Sequence, residues 1–512
     1  MDILLVNPPV VKPSEPPAGL ALLCGALKEH GRKFMALDAN IEGLMHFLSG
    51  EVRAGDTWTR RALSHLDENL SSLKNGRAFR SIDGYTKAVT EINRVLSQRL
   101  EPSGWNVSLS NLSSSLWSPV KSEDLIRAAE YPEQDAFFPY FSARLKEIFE
   151  RDAPGLVGLS LNYLSQALPC FAMIGYLKKL DPAVKIILGG GLVTSWIRGI
   201  GLIDLFSGLV DEMVAGPGEE RLVNLTGSTY TGAPSAPDFS GFVLLPYLSP
   251  GRIFPFSTSQ GCYWARCSFC PENAEGNRFS SKPPSEALEH MHRIMEEEKG
   301  SLAHICDNAL TPSFLREMSL SDSPYPWYGF ARITHHLADP EFCAGLRRSG
   351  CVMLKLGLES GDQHVLDGLG KGITLEETVS VLKAVKSAGI AVYAYLLFGT
   401  PSEDRAAAER TLDFIAANNA FLDFLNLSIF NLPRASRDAA ALETYDFSEG
   451  DLSLYQGFIH PRGWDRKSVR QFLDKELKRN PSVARIVRND PPSFTSNHAP
   501  FFAMQQAPLQ RP

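Results

Sequence analysis

The sequence has few cysteines and no excess of basic residues. It carries eight cysteines among 512 residues, which is too few for a disulfide-stabilised scaffold. Its net charge is −7, with 51 Lys and Arg against 58 Asp and Glu. A chain of this charge has no overall positive field that would attract nucleic acid or an anionic membrane. These shortages exclude a disulfide-rich secreted domain and a generally basic nucleic-acid binder.

The sequence also lacks a long, uninterrupted apolar run. Its most apolar stretch, residues 156–180, is broken by four residues, Asn162, Ser165, Gln166 and Pro169. Because a membrane-spanning helix needs about 20 consecutive apolar residues, we predict no membrane span. The first residues contain no basic segment and no small-residue cleavage site, so we expect no secretory signal and a cytoplasmic location.

A chain of 512 residues is too long for one hydrophobic core, so we expect several domains. Residues 1–226 show short apolar strands that alternate with helices, which is typical of a parallel sheet covered on both faces. The predicted strands are residues 3–6, 33–37, 156–161, 184–188 and 212–214. A more polar, helical stretch at about 49–150 interrupts this pattern. The sequence therefore predicts a Rossmann-like α/β domain with a helical insertion.

A second series of strands and helices follows residues 227–250, which are rich in Gly, Ser, Thr and Pro and which we interpret as a linker. Residues 251–431 contain six apolar strands separated by helical patterns. The predicted strands are residues 254–259, 302–306, 327–332, 352–357, 392–398 and 424–430. Six such units predict a partial (β/α)6 barrel of TIM type. The fold class is therefore α/β, with residues 432–512 as a C-terminal appendage.

The C-terminal appendage contains aromatic and polar residues in close succession. One such segment is His460-Pro461-Arg462-Gly463-Trp464, and another covers residues 491–499. Two interpretations of these segments remain open, a lid over a substrate or a cap packed on the barrel. The sequence assigns no catalytic residue.

Three of the eight cysteines lie within nine residues, while the other five are single residues among apolar or small neighbours. The segment reads Gly261-Cys262-Tyr263-Trp264-Ala265-Arg266-Cys267-Ser268-Phe269-Cys270, with the spacing C-x4-C-x2-C. It follows the first predicted barrel strand, and in such barrels the loops after the strands carry the chemistry. This position indicates a functional site rather than part of the core.

Three interpretations of these cysteines compete. A structural zinc site needs four closed ligands, but no second C-x-x-C pair occurs, and the nearest downstream candidates are His304 and Cys306. Chance clustering of buried thiols fits poorly with the charged neighbours Arg266 and Glu272. An iron–sulfur cluster normally takes four thiolates, so three would leave one iron open for a small chelating ligand.

With these residues the sequence resembles the radical S-adenosylmethionine (SAM) superfamily. Its members carry three closely spaced cysteines after the first strand of a partial barrel, with an aromatic residue, here Phe269, just before the third. The usual family spacing has three residues between the first two cysteines, whereas this chain has four. The longer gap is similar to CYW-type segments in members with a cobalamin-binding-type domain. The resemblance implies a 4Fe–4S cluster on Cys262, Cys267 and Cys270.

The resemblance also implies that the open iron chelates the amino and carboxylate groups of SAM. One electron from the cluster then cleaves a carbon–sulfur bond to give methionine and a 5′-deoxyadenosyl radical. Family members line this cofactor with residues at the ends of their strands. The matching residues of this chain are Phe269, Asp307, Arg332, Glu359, Ser360 and Gly399.

Three of the implied contacts have alternatives. Arg332 suits the carboxylate of SAM in a bidentate arrangement and Glu359 suits its ammonium group, but the two could instead form an ion pair at the barrel mouth. Ser360 suits the ribose, or it caps a helix. Lys371, in a Gly-Lys-Gly segment, is a weaker candidate for the site, and a solvated loop lysine is the alternative interpretation.

The N-terminal pattern resembles the N-terminal domain of cobalamin-dependent radical SAM enzymes. Glycines follow two successive strand ends, where they let a ligand approach the backbone, although plain tight turns are an alternative. The resemblance implies cobalamin contacts from Ser160, Gly189, Gly190, Gly216 and Gly218.

One departure concerns the ligand of cobalt. Cobalamin domains of the well-known type carry a D-x-H-x-x-G motif whose histidine ligates cobalt, whereas residues 38–43 of this chain read Asp-Ala-Asn-Ile-Glu-Gly. Asn40 therefore stands where the histidine would be. Many relatives with this domain lack the histidine too, so we expect cobalamin without histidine ligation.

The function implied by the resemblance is that of a radical SAM enzyme, with cobalamin-dependent methylation of an unactivated carbon as the leading expectation. One alternative is a cyclase or rearrangement enzyme that uses the same radical without methyl transfer. Another is a non-catalytic scaffold with a structural metal. The implied partners are an electron donor such as flavodoxin or ferredoxin and a substrate, either a peptide, a lipid or a small metabolite. No nucleic-acid partner is expected.

Overall fold

The computed structural model describes residues 2–50, 55–100, 104–202, 204–232, 235–446, 450–492 and 498–506. The chain divides into two compact units. The first comprises Met1–Ile253, Ser448–Leu454 and Pro492–Phe494, and the second comprises Phe254–Phe447, Tyr455–Pro491 and Thr495–Pro512. Most of the tail segment 491–499 and the last six residues of the appendage lie outside the described residues.

The first unit alternates strands and helices, as the sequence predicts. Its strands are β1 (Ile3–Asn7), β2 (Phe34–Asp38), β3 (Trp105–Val107), β4 (Leu112–Ser114), β5 (Leu156–Ser160), β6 (Lys185–Gly189) and β7 (Glu212–Met213). Its helices are α1 (Ala18–Glu29), α2 (Ala39–Ser49), α3 (Thr57–Ser64), α4 (Leu66–Lys74), α5 (Ile82–Leu100), α6 (Ser122–Glu130), α7 (Phe138–Asp152), α8 (Leu164–Leu180), α9 (Gly191–Ile200) and α10 (Glu219–Leu225). The five strands predicted for this unit are all present.

Five parallel strands form the central sheet of the first unit, in the order β2-β1-β5-β6-β7. Strand β1 is buried along its whole length, as expected for a strand that helices cover on both faces. The chain leaves β1 for β2 on one side, whereas β5 lies on the other side of β1. Strands are thus added on opposite sides of β1. In open α/β sheets, such a reversal of strand order leaves a crevice at the carboxyl ends of the two strands, here β1 and β5, where ligands bind.

Most of the predicted insertion consists of helices α3 to α7 and the hairpin β3–β4. Helix α5 packs against α3 and α4, and α7 packs against α2 and α8. The buried side chains Phe79, Tyr85 and Phe141 belong to this part of the chain. The insertion therefore extends the helical layer of the first unit and has a core of its own.

Residues 227–250, interpreted above as a linker, form no helix or strand in their described part. They nevertheless pack on the first unit. Phe239 and Phe242 are buried, and the hydroxyl of Tyr247 donates a hydrogen bond to Asp38 Oδ2 over 2.7 Å. The segment is therefore attached to the first unit through apolar and polar contacts.

The second unit also alternates strands and helices. Its strands are β8 (Ile253–Phe256), β9 (Ser259–Gln260), β10 (Ser280–Ser281), β11 (Leu302–Ile305), β12 (Trp327–Ala331), β13 (Cys351–Glu359), β14 (Ala391–Phe398), β15 (Phe424–Ile429), β16 (Leu432–Pro433), β17 (Thr444–Tyr445) and β18 (Tyr455–Phe458). Its helices are α11 (Pro271–Ala274), α12 (Pro284–Glu297), α13 (Pro312–Leu320), α14 (Pro340–Arg348), α15 (Gln363–Gly368), α16 (Leu375–Ser387), α17 (Arg405–Ala417), α18 (Arg437–Ala441), α19 (Arg466–Lys475), α20 (Pro481–Arg488) and α21 (Ala499–Gln506). Within the described ranges, no helix has the length and apolar character that crossing a bilayer would require.

Six strands of the second unit form one sheet, in the order β15-β14-β13-β12-β11-β8. The neighbouring pairs from β11 to β15 are parallel, and helices connect successive strands. Side-chain oxygens of Thr311, Asp339, Thr374 and Asp404 cap the first turns of α13, α14, α16 and α17, which satisfies backbone N–H groups that a helix start leaves free. The predicted partial (β/α)6 barrel is confirmed.

Gly190 joins β6 to α9 at the carboxyl edge of the first sheet. Its backbone has φ of +110° and ψ of 175°, a region open almost only to glycine. A Cβ atom at this position would lie 2.4 Å from the carbonyl oxygen of Leu161. The N–H of Leu161 in turn donates to the carbonyl oxygen of Gly189 over 2.7 Å. Two strand ends therefore approach each other so closely that only glycine fits between them.

We predict that Gly190→Ala destabilises the ligand-free protein by about 2–3 kcal/mol, because alanine adds both backbone strain and a steric clash. Gly201 provides a matched control, since it has φ of +71° but nothing within 4 Å of an added Cβ. Gly201→Ala should cost only about 1 kcal/mol. Chemical denaturation of both variants checks this difference, and equal losses would contradict it.

Candidate functional site

The three clustered cysteines lie on the loop that follows β8 and β9. Cys267 is buried, whereas Cys262 and Cys270 are half-buried. All three line one small cavity, which five further residues complete: Ala265, Arg266, Glu272, Asn273 and Asn277. The structure therefore brings the predicted ligands together beyond the carboxyl end of the first barrel strand.

Two residues with left-handed backbone shape this loop. Gly261 has φ of +70°, and a Cβ atom there would lie 2.7 Å from the carbonyl oxygen of Arg278. Ala265 has φ of +45°, a conformation that costs a residue with a Cβ roughly 1–2 kcal/mol. Because Ala265 lies in the four-residue gap between Cys262 and Cys267, the turn at Ala265 accommodates the longer spacing of this chain.

Trp264 attaches the cysteine loop to the turn that follows α15. Its Nε1–H donates to the carbonyl oxygen of Gly370 over 3.0 Å, and a Cβ atom on Gly372 would lie 2.3 Å from its ring. The N–H of Ser268 donates to the carbonyl oxygen of Leu369 over 3.0 Å. Two hydrogen bonds and a ring contact that only glycine permits therefore hold the two segments together.

A buried cation lies beside the cysteine loop. The guanidinium carbon of Arg332 is 4.1 Å from the centroid of the Trp264 ring, and Nη1 is 3.9 Å from the sulfur of Cys267. Its Nη2 donates to the carbonyl oxygen of Lys371. Stacking on an aromatic face together with hydrogen bonding is the arrangement that a planar guanidinium favours. Arg332 thus holds a fixed positive charge against a predicted cluster ligand.

Lys371 supplies a second buried cation. Its Nζ lies 2.7 Å from Oε1 of Glu359, and the two side chains are only 7% and 11% exposed. Glu359 ends β13 with φ of +66°, and a Cβ atom on Gly357 would lie 2.7 Å from both charged groups. Glu359 therefore pairs with Lys371 and not with Arg332. The interpretation of Lys371 as a solvated loop residue is wrong, because the turn after α15 carries it into the barrel mouth.

Burial and neighbouring groups shift the pKa values of two of the three thiols. Burial raises the pKa of Cys267, although the charges of Lys371 and Arg332 oppose this effect. Burial raises the pKa of Cys270 to about 11, against hydrogen bonds from the backbone N–H groups of Asn273 and Glu272. Cys270 is therefore protonated at neutral pH in the metal-free protein. Metal binding, which requires the thiolate, releases this proton.

These residues fit an iron–sulfur cluster. In the described part of the chain, no three His, Cys, Asp or Glu side chains converge on one point that would hold a single metal ion. A cubane cluster does not need such convergence, because each thiolate binds a different iron atom. Three thiols around one cavity, backbone N–H groups directed at a sulfur and a nearby cation suit an anionic cluster.

Asp307, a predicted SAM contact, bonds to the strand end that leads into the cysteine loop. Its Oδ1 accepts from the N–H of Thr258 over 2.7 Å, and its Oδ2 accepts from the hydroxyls of Thr258 and Ser259 over 2.5 and 2.7 Å. Burial raises its pKa. Both oxygens are thus engaged within the protein, and Asp307 holds the start of the loop. Its contact with SAM stays a prediction.

Ser360 is fully buried behind the barrel mouth. Its hydroxyl lies 3.0 Å from that of Thr411 and accepts from the N–H of Asp362 over 3.1 Å. The side chain that caps α15 is Asp362, so the alternative role of Ser360 as a helix cap is wrong. Its predicted contact with the ribose of SAM remains untested.

The two remaining predicted SAM contacts also lie at strand ends or on the cysteine loop. Phe269 packs against an apolar cluster that includes Val365 and Leu369, and the Nζ of Lys371 lies 5.7 Å from the centroid of its ring. Gly399 follows β14 with φ of +78°. Both positions agree with a cofactor-lining role, which stays a prediction.

The residues predicted to contact cobalamin lie at the carboxyl edge of the first sheet. Ser160 ends β5 beside the point where the strand order reverses, Gly189 ends β6, and Gly190 precedes α9. Gly216, with φ of +80°, and Gly218 follow β7. The structure therefore gathers all five residues along one edge, while their contact with cobalamin stays a prediction.

Buried and half-buried amide side chains connect the loops at this edge, and the sequence analysis did not predict this role for them. Gln166 Nε2 donates to Oδ1 of Asn7 over 3.1 Å, and Nδ2 of Asn7 donates to Oδ1 of Asp38 over 2.8 Å. Asn162 Oδ1 accepts from the N–H of Gly191 over 2.9 Å. An Asn that ends a buried apolar strand, as Asn7 does, is the signal that was available in the sequence.

Asn40, which stands where other cobalamin domains have histidine, is buried. Its Oδ1 accepts from the N–H of Val11 over 2.9 Å, and its Nδ2 donates to the carbonyl oxygen of Val11 over 3.0 Å. Both ends of the amide are therefore used to hold the loop after β1. The absence of a histidine ligand to cobalt stays a prediction.

The same edge exposes apolar surface. Tyr163 and Leu164, directly after β5, are 61% and 41% exposed. Single exposed apolar side chains are common on protein surfaces, so these two supply apolar contact area at the edge without by themselves marking a ligand site. Together with the glycine turns, these side chains suit a flat, largely apolar ring such as a corrin.

We predict that Lys371→Met destabilises the cluster-free protein by about 3–5 kcal/mol, because it leaves the Glu359 carboxylate buried without a counter-charge. The double variant Lys371→Met/Glu359→Gln should regain at least half of this loss, since both charges are then removed. Chemical denaturation followed by tryptophan fluorescence measures both. Lys478→Met, which breaks an exposed ion pair with Asp474, is the control and should unfold like the wild type. Additive losses in the double variant would contradict the prediction.

Comparisons with known proteins agree with this site. Residues 256–415 match the model of the radical SAM superfamily. An uncharacterized methyltransferase of Pyrococcus horikoshii is 22% identical over 353 residues, which cover 61% of this chain and 74% of that protein.

Two solved structures resemble the chain at low sequence identity. The radical SAM methyltransferase TsrM from Kitasatospora setae, with cobalamin and a [4Fe–4S] cluster bound, matches with a TM-score of 0.55 and 17% identity, over 88% of this chain and 82% of TsrM. The cobalamin-dependent SAM radical enzyme OxsB matches with a TM-score of 0.52 and 13% identity, over 83% of this chain and 53% of OxsB. Residues 256–415 thus form a radical SAM domain, and the fold of the chain is similar to that of TsrM and OxsB.

Proposed function

We propose that the protein is a cobalamin-dependent radical SAM methyltransferase that acts on an unactivated carbon. The observation that carries this proposal is the arrangement of Cys262, Cys267 and Cys270 around one cavity after the first barrel strand, with the buried cation of Arg332 against Cys267. Cys262, Cys267 and Cys270 would hold a 4Fe–4S cluster and would leave it an open position for a chelating cofactor such as SAM. When bound, the reduced cluster supplies the electron that splits SAM into methionine and a 5′-deoxyadenosyl radical.

The chain's own residues orient the cofactor in this proposal. Arg332 and the Lys371–Glu359 pair are held rigidly at the barrel mouth by Trp264 and by the turn after α15. We propose that Arg332 faces the carboxylate of SAM and that Glu359 faces its ammonium group, since each group then meets an opposite charge in a site largely closed to water.

The first unit supports the cobalamin part of the proposal. The order in which the chain adds strands to its sheet reverses between β1 and β5. Glycine turns and the exposed side chain of Tyr163 line the resulting edge. Bound cobalamin supplies a transferable methyl group that SAM replenishes. Because Asn40 is bonded to Val11, we propose that cobalamin binds without a ligand from that position.

Two partners follow from this chemistry. Radical SAM enzymes need a substrate and a reductant, and we propose an electron donor such as flavodoxin or ferredoxin for this chain. The substrate class stays open between a peptide, a lipid and a small metabolite. The cytoplasmic location predicted from the sequence agrees with an oxygen-sensitive cluster and stays a prediction.

We predict that Cys267→Ala abolishes the iron–sulfur cluster and the cleavage of SAM, because two thiolates hold a cubane too weakly. The measurements are the iron content after anaerobic reconstitution with iron and sulfide, and the 5′-deoxyadenosine formed with dithionite. Cys343→Ala is the matched control, since Cys343 is also buried in the second unit but lies on α14. A Cys267→Ala protein that keeps its iron and cleaves SAM would refute the assignment.

The products distinguish methyl transfer from the alternatives. A methyltransferase of the proposed kind binds cobalamin, which optical spectra detect, and forms S-adenosylhomocysteine together with 5′-deoxyadenosine and a methylated product. A cyclase or rearrangement enzyme forms 5′-deoxyadenosine without S-adenosylhomocysteine. A non-catalytic scaffold forms neither.

A further inference from the structure

The loop that follows β14 is closed by a buried carboxyl group. The N–H of Gly399 donates to Oε2 of Glu403, and the N–H of Glu403 donates to the carbonyl oxygen of Thr400 over 2.9 Å. Glu403 is fully buried. Its carboxyl group therefore sets the position of Gly399, the residue that we assign to SAM.

Two side chains of the C-terminal appendage bond to this loop. The Nε1–H of Trp464 donates to the same Oε2 of Glu403 over 2.9 Å, and Nε2 of His460 lies 2.9 Å from the carbonyl oxygen of Thr400. Nδ1 of His460 accepts from the N–H groups of Arg462 and Trp464, which leaves the ring proton on Nε2. The segment 460–464 is thus hydrogen-bonded to both ends of the loop.

Apolar contacts reinforce these hydrogen bonds. A Cβ atom on Gly399 would lie 3.2 Å from Cγ2 of Val469, on α19. The ring of Phe472 lies 5.9 Å from that of Trp464 and 6.2 Å from that of Phe398. Segment 460–464 and α19 therefore form a cap over the end of β14, in agreement with the cap interpretation of this segment.

Hydrogen bonds from uncharged donors, rather than an ion pair, hold Glu403. Its Oε1 has no hydrogen-bond partner within the described residues. Burial raises the pKa of Glu403 to about 7, against the hydrogen bonds from Gly399 and Trp464, and the charges of Asp404 and Asp362 act in the same direction as burial. The oxygen of a carboxamide at this position can also accept from Gly399 and Trp464, although a hydrogen bond to a neutral acceptor is weaker than one to a carboxylate.

We infer that Trp464 is a positioning residue for SAM, which acts through Glu403 to hold Gly399 in its cofactor-lining conformation, with His460 as a second support. The C-terminal appendage thereby adds two hydrogen bonds to the loop that follows β14. This inference rests on the proposed function, since it assigns Gly399 to SAM.

The test compares Trp464→Phe with Trp327→Phe. Both tryptophans are buried and both use their indole N–H as a donor, but Trp327 lies at the opposite end of the barrel strands, where it donates to the carbonyl and hydroxyl oxygens of Ser349. We expect Trp464→Phe to raise the KM for SAM in 5′-deoxyadenosine formation about fivefold, the size of one lost hydrogen bond, with kcat within twofold of the wild type. Trp327→Phe should leave both constants unchanged.

A second measurement does not depend on the loaded enzyme. In the cluster-free protein, amide hydrogen exchange in residues 395–406 should be faster in Trp464→Phe than in the wild type, because Glu403 has lost one donor. Trp327→Phe should exchange like the wild type in the same peptide. Equal KM values and equal exchange in the two variants would overturn the inference.

A second pair of variants guards against misfolding of Trp464→Phe. Glu403→Gln keeps an oxygen that accepts from Gly399 and Trp464, whereas Glu403→Ala removes it, so the KM for SAM should rise much more in Glu403→Ala. An equal rise in both variants would also overturn the inference. If the reconstituted wild type forms no 5′-deoxyadenosine, the proposed function fails; if the wild type is active and these differences are missing, only the inference fails.

Discussion

Everything at the candidate site depends on holding three cysteines of one short loop at fixed separations. A loop of nine residues has no helix or sheet ladder of its own to do this, so the constraint has to come from outside. Trp264 supplies this constraint through a hydrogen bond to Gly370 and through contact of its ring with Gly372, which has no side chain. Asp307 fixes the entry to the loop. A cubane cluster can then bind without a large loss of loop entropy.

The same turn that anchors the loop also brings buried charge to it. Lys371 and Glu359 form an ion pair that is almost closed to solvent, and Arg332 lies against Cys267. Burying these groups costs desolvation energy that a core of apolar side chains would avoid. A site that binds an anionic cluster and a zwitterionic cofactor needs such charges fixed in place, which is a physical reason for their presence.

Both units use the carboxyl edge of a parallel sheet, but they stabilise it differently. In the first unit, neutral amides such as Asn7, Gln166 and Asn40 connect the loops. In the second unit, ion pairs and a C-terminal cap serve the same purpose. In this cap, Trp464 and His460 bond to the loop between β14 and α17.

The sequence by itself determined the strands of both main sheets and the cysteine motif that carries the family resemblance, because strand periodicity and a short motif depend only on neighbouring residues. Only the tertiary structure decided which charged groups meet. An ion pair between Arg332 and Glu359 was one alternative from the sequence, but Lys371 pairs with Glu359 instead, because a glycine-flanked turn brings Lys371 into the barrel mouth. The roles of Trp264, Glu403 and Trp464 were equally hidden, since each bonds to a residue about 60 to 110 positions away, and sequence spacing carries no information about such long-range contacts.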